Sequence, residues 1–322
     1  MTAAAHIVRA AGLVLGTGYV LAFFSETVFW SVWRPGDELH GRMLTWLLYS
    51  LFAYLTLGVI WRFRVNDGWA LLFAGAFFGW ICEGVYAMTV FGDPSMPFPF
   101  TIVWTSLAWH GPISLVIGWY ALGLALREAR SGPAILLSSG VGLFWGAWAL
   151  GWLAETPPVA VSSLEFLLHA SATTAGLALA HLAVAAGRPA SYAPSRIGLG
   201  FAGAVVVAFF LVVTVPAVPM APLVLSPLLG LLWLALRQSR ARRLEGSLLA
   251  RFAAPIRPRN LAALMLMPLA ATAVYALASG TLPPLGFVHP IFAATTSLVG
   301  LALFIRALVT AIRWRGPPCQ QD

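Results

Sequence analysis

The chain has 322 residues, 60% of them hydrophobic and only 9% charged, and its mean hydropathy is +0.86. A water-soluble domain needs about 25% charged residues to cover its surface, so this composition excludes one and makes lipid the solvent. The net charge of +8 comes from arginine alone, and those arginines stand in short stretches between apolar runs. Nucleic acid, which calls for a solvated basic face with base-stacking aromatics, is excluded as a partner.

A spanning helix needs about 20 mostly apolar residues. The first run follows Arg9 and has no small-x-small cleavage site before Ser25-Glu26, so residues 7–30 read as an uncleaved first helix rather than a signal peptide. Further spans are expected at 43–61, 68–91, 101–126, 133–153, 161–186, 197–215, 219–236, 261–280 and 288–310. Pro216, Pro219, Pro222 and Pro227 interrupt the pair over 197–236, which fits a re-entrant hairpin almost as well as two spans.

The expected fold class is therefore all-α, a polytopic integral membrane bundle of about ten helices. Loop charges orient it. With a cytoplasmic N-terminus, the inside loops carry Arg62, Arg64, Arg127, Arg130, Arg188, Arg196, the block from Arg237 to Arg259, and Arg313 and Arg315 of the tail. The outside loops carry only Arg34 and Arg42, the asymmetry of a chain with both termini in the cytoplasm. The setting this implies is a bacterial inner membrane.

Three regions follow. Residues 1–236 form a transmembrane region whose first part, 1–186, holds the polar residues. Residues 237–260 form a cytoplasmic connection, and 261–322 a last transmembrane pair with a short tail. In the connection, Leu244, Leu248, Phe252 and Ile256 recur every four positions beside Arg240, Arg243 and Arg251. That spacing predicts an amphipathic helix on the inner leaflet, with anionic lipid as its partner.

Ionisable residues inside a spanning helix are costly and mark function. Glu26, Glu83, His110, Glu165 and His169 fall at one expected depth, near the outer leaflet, on four helices. Gly18, Ala22 and Glu26 form one stripe, and Gly75, Gly79 and Glu83 another; small residues at this spacing mark close helix contact and turn each Glu into the bundle. Ser106, His110, Ser114 and Gly118 line one face of the fourth helix, where Pro112 frees the carbonyl of Ala108. His181 lies near the inner face and drops out.

Three readings compete for this layer: a proton- or cation-linked transport site for a small or amphipathic solute, a metal centre, and plain structural hydrogen bonds. For a metal, the candidate ligands are Glu83, His110, Glu165 and His169, a set suited to zinc, iron or manganese. No nucleotide-binding loop, dinucleotide fingerprint or serine-hydrolase elbow is present, and the sequence names no cofactor. Cys82 and Cys319 should lie near opposite membrane faces, with no zinc or haem motif around either.

Twelve of the fourteen tryptophans precede residue 153 and read as interface anchors, with Trp104 and Trp109 as alternative walls of an apolar pocket. The second half of the chain is nearly silent. In size and topology the chain resembles the ten-helix drug/metabolite transporter superfamily, without a motif that carries residues over. An inverted repeat of that kind would place site residues in both halves, whereas here they crowd into one. Transport is the leading expectation. A membrane-embedded enzyme acting on a lipid or isoprenoid, and an assembly or sensor subunit, are the alternatives.

Overall fold

The computed structural model describes residues 3–34, 36–93, 96–240, 247–279 and 285–313. Among them it contains ten helices long and apolar enough to cross a membrane: α1 (Ile7–Trp30), α2 (Leu39–Arg62), α3 (Gly68–Tyr86), α4 (Phe100–Ala125), α5 (Gly132–Ala154), α6 (Ser163–Ala186), α7 (Arg196–Ala217), α8 (Ala221–Ser239), α9 (Pro258–Ser279) and α10 (Val288–Arg313). No strand occurs among the described residues. The protein is a multi-pass membrane protein. The proline-rich stretch resolves into α7 and α8, each long enough to span, so a re-entrant hairpin is not needed.

The chain divides into two compact units, one made of Met1–Ser50, Ile117–Pro189 and Phe252–Thr295, the other of Leu51–Val116, Ala190–Arg251 and Thr296–Asp322. In the first unit, backbones touch where the sequence is small. A β-carbon at Gly16 of α1 would stand 2.6 Å from the carbonyl oxygen of Ala180 on α6. With no hydrophobic drive between helices in lipid, such close approach is what binds them.

Several tryptophans build the interior of this unit. Trp119, Trp145 and Trp148 are fully buried, as are Trp80 and Trp109 in the second unit. Trp148 Nε1 and Trp152 Nε1 both donate to the carbonyl of Phe29, at 2.6 and 2.9 Å. The Arg34 guanidinium lies 4.4 and 4.2 Å from the rings of Trp30 and Trp152. An indole satisfies its single donor on a backbone carbonyl and offers its face to a cation, so it packs inside where both are supplied.

The connection after α8 also differs from its expected form. Leu244 and Arg243 lie outside the described residues, and the side chain of Arg240 is not described. Beyond them the chain makes a short 3₁₀ turn, Leu248–Ala253, in which Leu248, Leu249 and Phe252 are buried. Phe252 stacks on Trp119 at 5.0 Å and carries the Arg127 guanidinium 4.8 Å from its ring. At Leu248 and Phe252 the apolar spacing thus serves protein packing.

Candidate functional site

The site belongs to the second unit and begins with a departure from α-helical geometry. In α3 the α-helix ends at Ile81 and a π-helical turn, Cys82–Tyr86, follows; the amide of Ala87 bonds the carbonyl of Cys82, five residues back, at 3.1 Å. In α4 the π-helical stretch runs from Ser106 to Ala121 with Pro112 inside it. Proline removes a donor and its ring crowds the carbonyl four residues earlier, and a wider turn relieves that clash. Single π turns inside longer helices occur frequently at functional sites.

Two glycines set the distance between these helices. A β-carbon at Gly75 would stand 2.7 Å from Gly111 Cα, and one at Gly79 the same distance from Ser106 Cα. One turn beyond, the stripe on α3 delivers Glu83, and its Oε1 is hydrogen-bonded to His110 Nε2 of α4. Both residues are buried, 7% and 3% exposed, so the carboxyl and imidazole answer each other in place of water.

The second carboxylate oxygen, Oε2, accepts from the Thr89 hydroxyl, while the nearby Thr105 hydroxyl donates to the carbonyl of Trp104 at 2.8 Å. Thr105 and Met88 hold φ values of 61° and 62°. Left-handed backbone is costly for a β-branched residue, by about 1–3 kcal/mol, and persists where surrounding structure over-determines it. The Phe78 ring meets the imidazole edge-on at 5.2 Å.

The later helices close the site. The Thr214 hydroxyl of α7 donates to the carbonyl of Val85 at 2.6 Å. Leu225 of α8 lies where a β-carbon at Gly84 would stand 3.0 Å away, and a β-carbon at Gly300 of α10 would stand 3.2 Å from Ala108 Cα. The half of the chain that reads as silent therefore supplies the walls.

Glu26, Glu165 and His169 belong to the other unit. Glu26, itself in a π-helical turn, Phe23–Thr27, accepts from Trp30 Nε1 at 2.9 Å and from the Tyr49 hydroxyl at 2.5 Å. Glu165 is exposed and closes a capping box: its Oε2 accepts from the Ser162 amide at 2.8 Å while Ser162 Oγ accepts from the Glu165 amide at 3.2 Å. The Ser-x-x-Glu pattern before an apolar run is the signature of that cap. His169 stands edge-on to Trp33 at 6.4 Å.

The arrangement also brings in a residue that spacing did not single out. Cys82 Sγ, a Glu83 carboxylate oxygen and a His110 ring nitrogen all lie within 4.8 Å of one another, and all three residues are buried. Neighbouring residues on an α-helix point about 100° apart; the wider π turn, with about 4.4 residues per turn, narrows that angle. No known protein family, curated protein or solved structure matches this chain.

Proposed function

We propose that the protein is a secondary transporter of a small or amphipathic solute in the cell membrane, with both termini cytoplasmic and the Glu83–His110 pair as its exchange centre. One observation carries this reading: a carboxyl and an imidazole, hydrogen-bonded and buried between π-helical turns of two spanning helices. A lone charge there is expensive, while the pair holds one exchangeable proton with no net charge. A cationic solute that competes for the carboxylate releases that proton, which links its movement to proton movement. The strained Thr105 and the glycine contacts hold the pair in place beforehand.

Proteoliposomes carrying a trapped pH-sensitive dye test the reading. A panel of amphipathic amines, quaternary ammonium ions and divalent metal ions is added under an imposed pH gradient. At least one solute class should drive proton movement that Glu83→Gln abolishes and the cap variant Glu165→Gln keeps. Wild-type protein that moves no protons with any member of the panel would overturn it.

A further inference from the structure

We infer that Cys82, Glu83 and His110 form a three-ligand site for one thiophilic divalent cation of the zinc class. The inference deepens the transport reading, on which it rests only for making that cation the solute; binding itself stands on the geometry of the trio.

Distance is the first argument. In a tetrahedral zinc site, bonds of about 2.0–2.3 Å place donor atoms about 3.4–3.7 Å apart. The three donors here already fall within 4.8 Å of one another, so ligation needs movements of about 1 Å, within the reach of side-chain rotation. Glu83 and His110 separate slightly as an ion enters between them, and Cys82 closes from the side.

Charge is the second. A thiolate, a carboxylate and a neutral imidazole sum to minus two, so a divalent cation leaves the centre neutral, the state that an apolar, buried position favours. Binding displaces the thiol proton of Cys82 and the proton shared by Glu83 and His110. Two protons leave as one cation enters, and the net charge of the site is unchanged.

Ligand chemistry is the third. A sulfur donor with a nitrogen and one oxygen selects zinc and its soft neighbours and disfavours magnesium and calcium, which take oxygen ligands. Thr89 donates to the carboxylate and so orients it, as outer partners of metal ligands do. Three protein ligands leave a fourth position open, the pattern of sites that exchange what they bind.

The test uses full-length protein purified with a tag free of histidine, with Cys319 replaced by Ser so that Cys82 is its single thiol. Cobalt(II) is the probe. One cobalt ion per chain should bind, with the intense visible bands of tetrahedral coordination and a near-ultraviolet thiolate-to-cobalt charge-transfer band, and zinc should displace it. Cys82→Ser should remove the charge-transfer band, and Thr89→Val should weaken binding by about 10-fold. Wild-type protein that binds no cobalt, or binds it without the thiolate band, overturns the inference, and that spectrum decides it even where a variant fails to fold. Cobalt binding without metal-driven proton flux would uphold the site and overturn the transport reading. Flux of an organic cation without metal binding would do the reverse.

Discussion

Thr214 donates its hydroxyl to the carbonyl of Val85 at 2.6 Å, two residues beyond Glu83. The π-helical turn in α3 spaces its backbone bonds five residues apart, and a side chain from α7 adds a bond to this carbonyl. A residue of the second half thus supports the geometry on which the carboxylate stands.

Thr214→Val keeps the shape and deletes the donor. The loss of this buried bond should cost about 1–3 kcal/mol, read as a lowered Tm of the detergent-solubilised protein, with Thr214→Ser retaining the wild-type value. An unchanged Tm in Thr214→Val would show that the turn needs no support from α7.

The contact between α3 and α4 predicts a graded response to side-chain size. Gly79→Ala introduces a β-carbon 2.7 Å from Ser106 Cα, and overpacking of this kind costs about 1–3 kcal/mol. Gly79→Leu should exceed that and abolish a monodisperse elution profile. Wild-type behaviour in Gly79→Leu would mean that the two helices do not meet here.

Glu83 and Glu165 should separate cleanly. Glu83→Gln removes the proton-exchanging group from a site whose other contacts remain, so flux should vanish while the protein stays folded. Glu165→Ala should lower the Tm slightly through loss of the helix cap and leave flux intact. If Glu165→Ala lost flux with its Tm unchanged, the carboxylate would have a part in exchange that the cap does not describe.

The C-terminal end of α4 carries its own prediction. Asn260 Nδ2 donates to the carbonyls of Ala125 and Glu128 at 3.1 and 2.9 Å, closing helix-end groups that would otherwise lack partners in a buried position. Asn260→Leu should therefore lower stability by about 1–3 kcal/mol, measured by thermal unfolding. Asn260→Asp, which accepts but does not donate, should do no better.

Cysteines introduced singly for Arg62, Arg130, Arg188, Asp93 and Glu155, in a Cys319→Ser background, check the topology in intact cells. An impermeant thiol reagent should label positions 93 and 155 and spare 62, 130 and 188. Position 130 is chosen over 127 because Arg127 is buried. Outside labelling at 130 would reverse the orientation.

The ten spans were legible because lipid imposes a length and a polarity on each crossing helix, and both are properties of consecutive residues. The stripes Gly75-Gly79-Glu83 and Ser106-His110-Ser114 were legible for the same reason: on any helix a four-residue repeat marks one face. What the sequence alone could not decide was which faces meet and where the helix widens. Cys82 joins Glu83 through a π turn that spacing does not announce, and Glu165 finds its partner in its own helix cap. Trp148 and Trp152 pack inside because the distant carbonyl of Phe29 accepts from both indoles. Those outcomes depend on contacts between residues far apart in the chain, and only the tertiary structure supplies them.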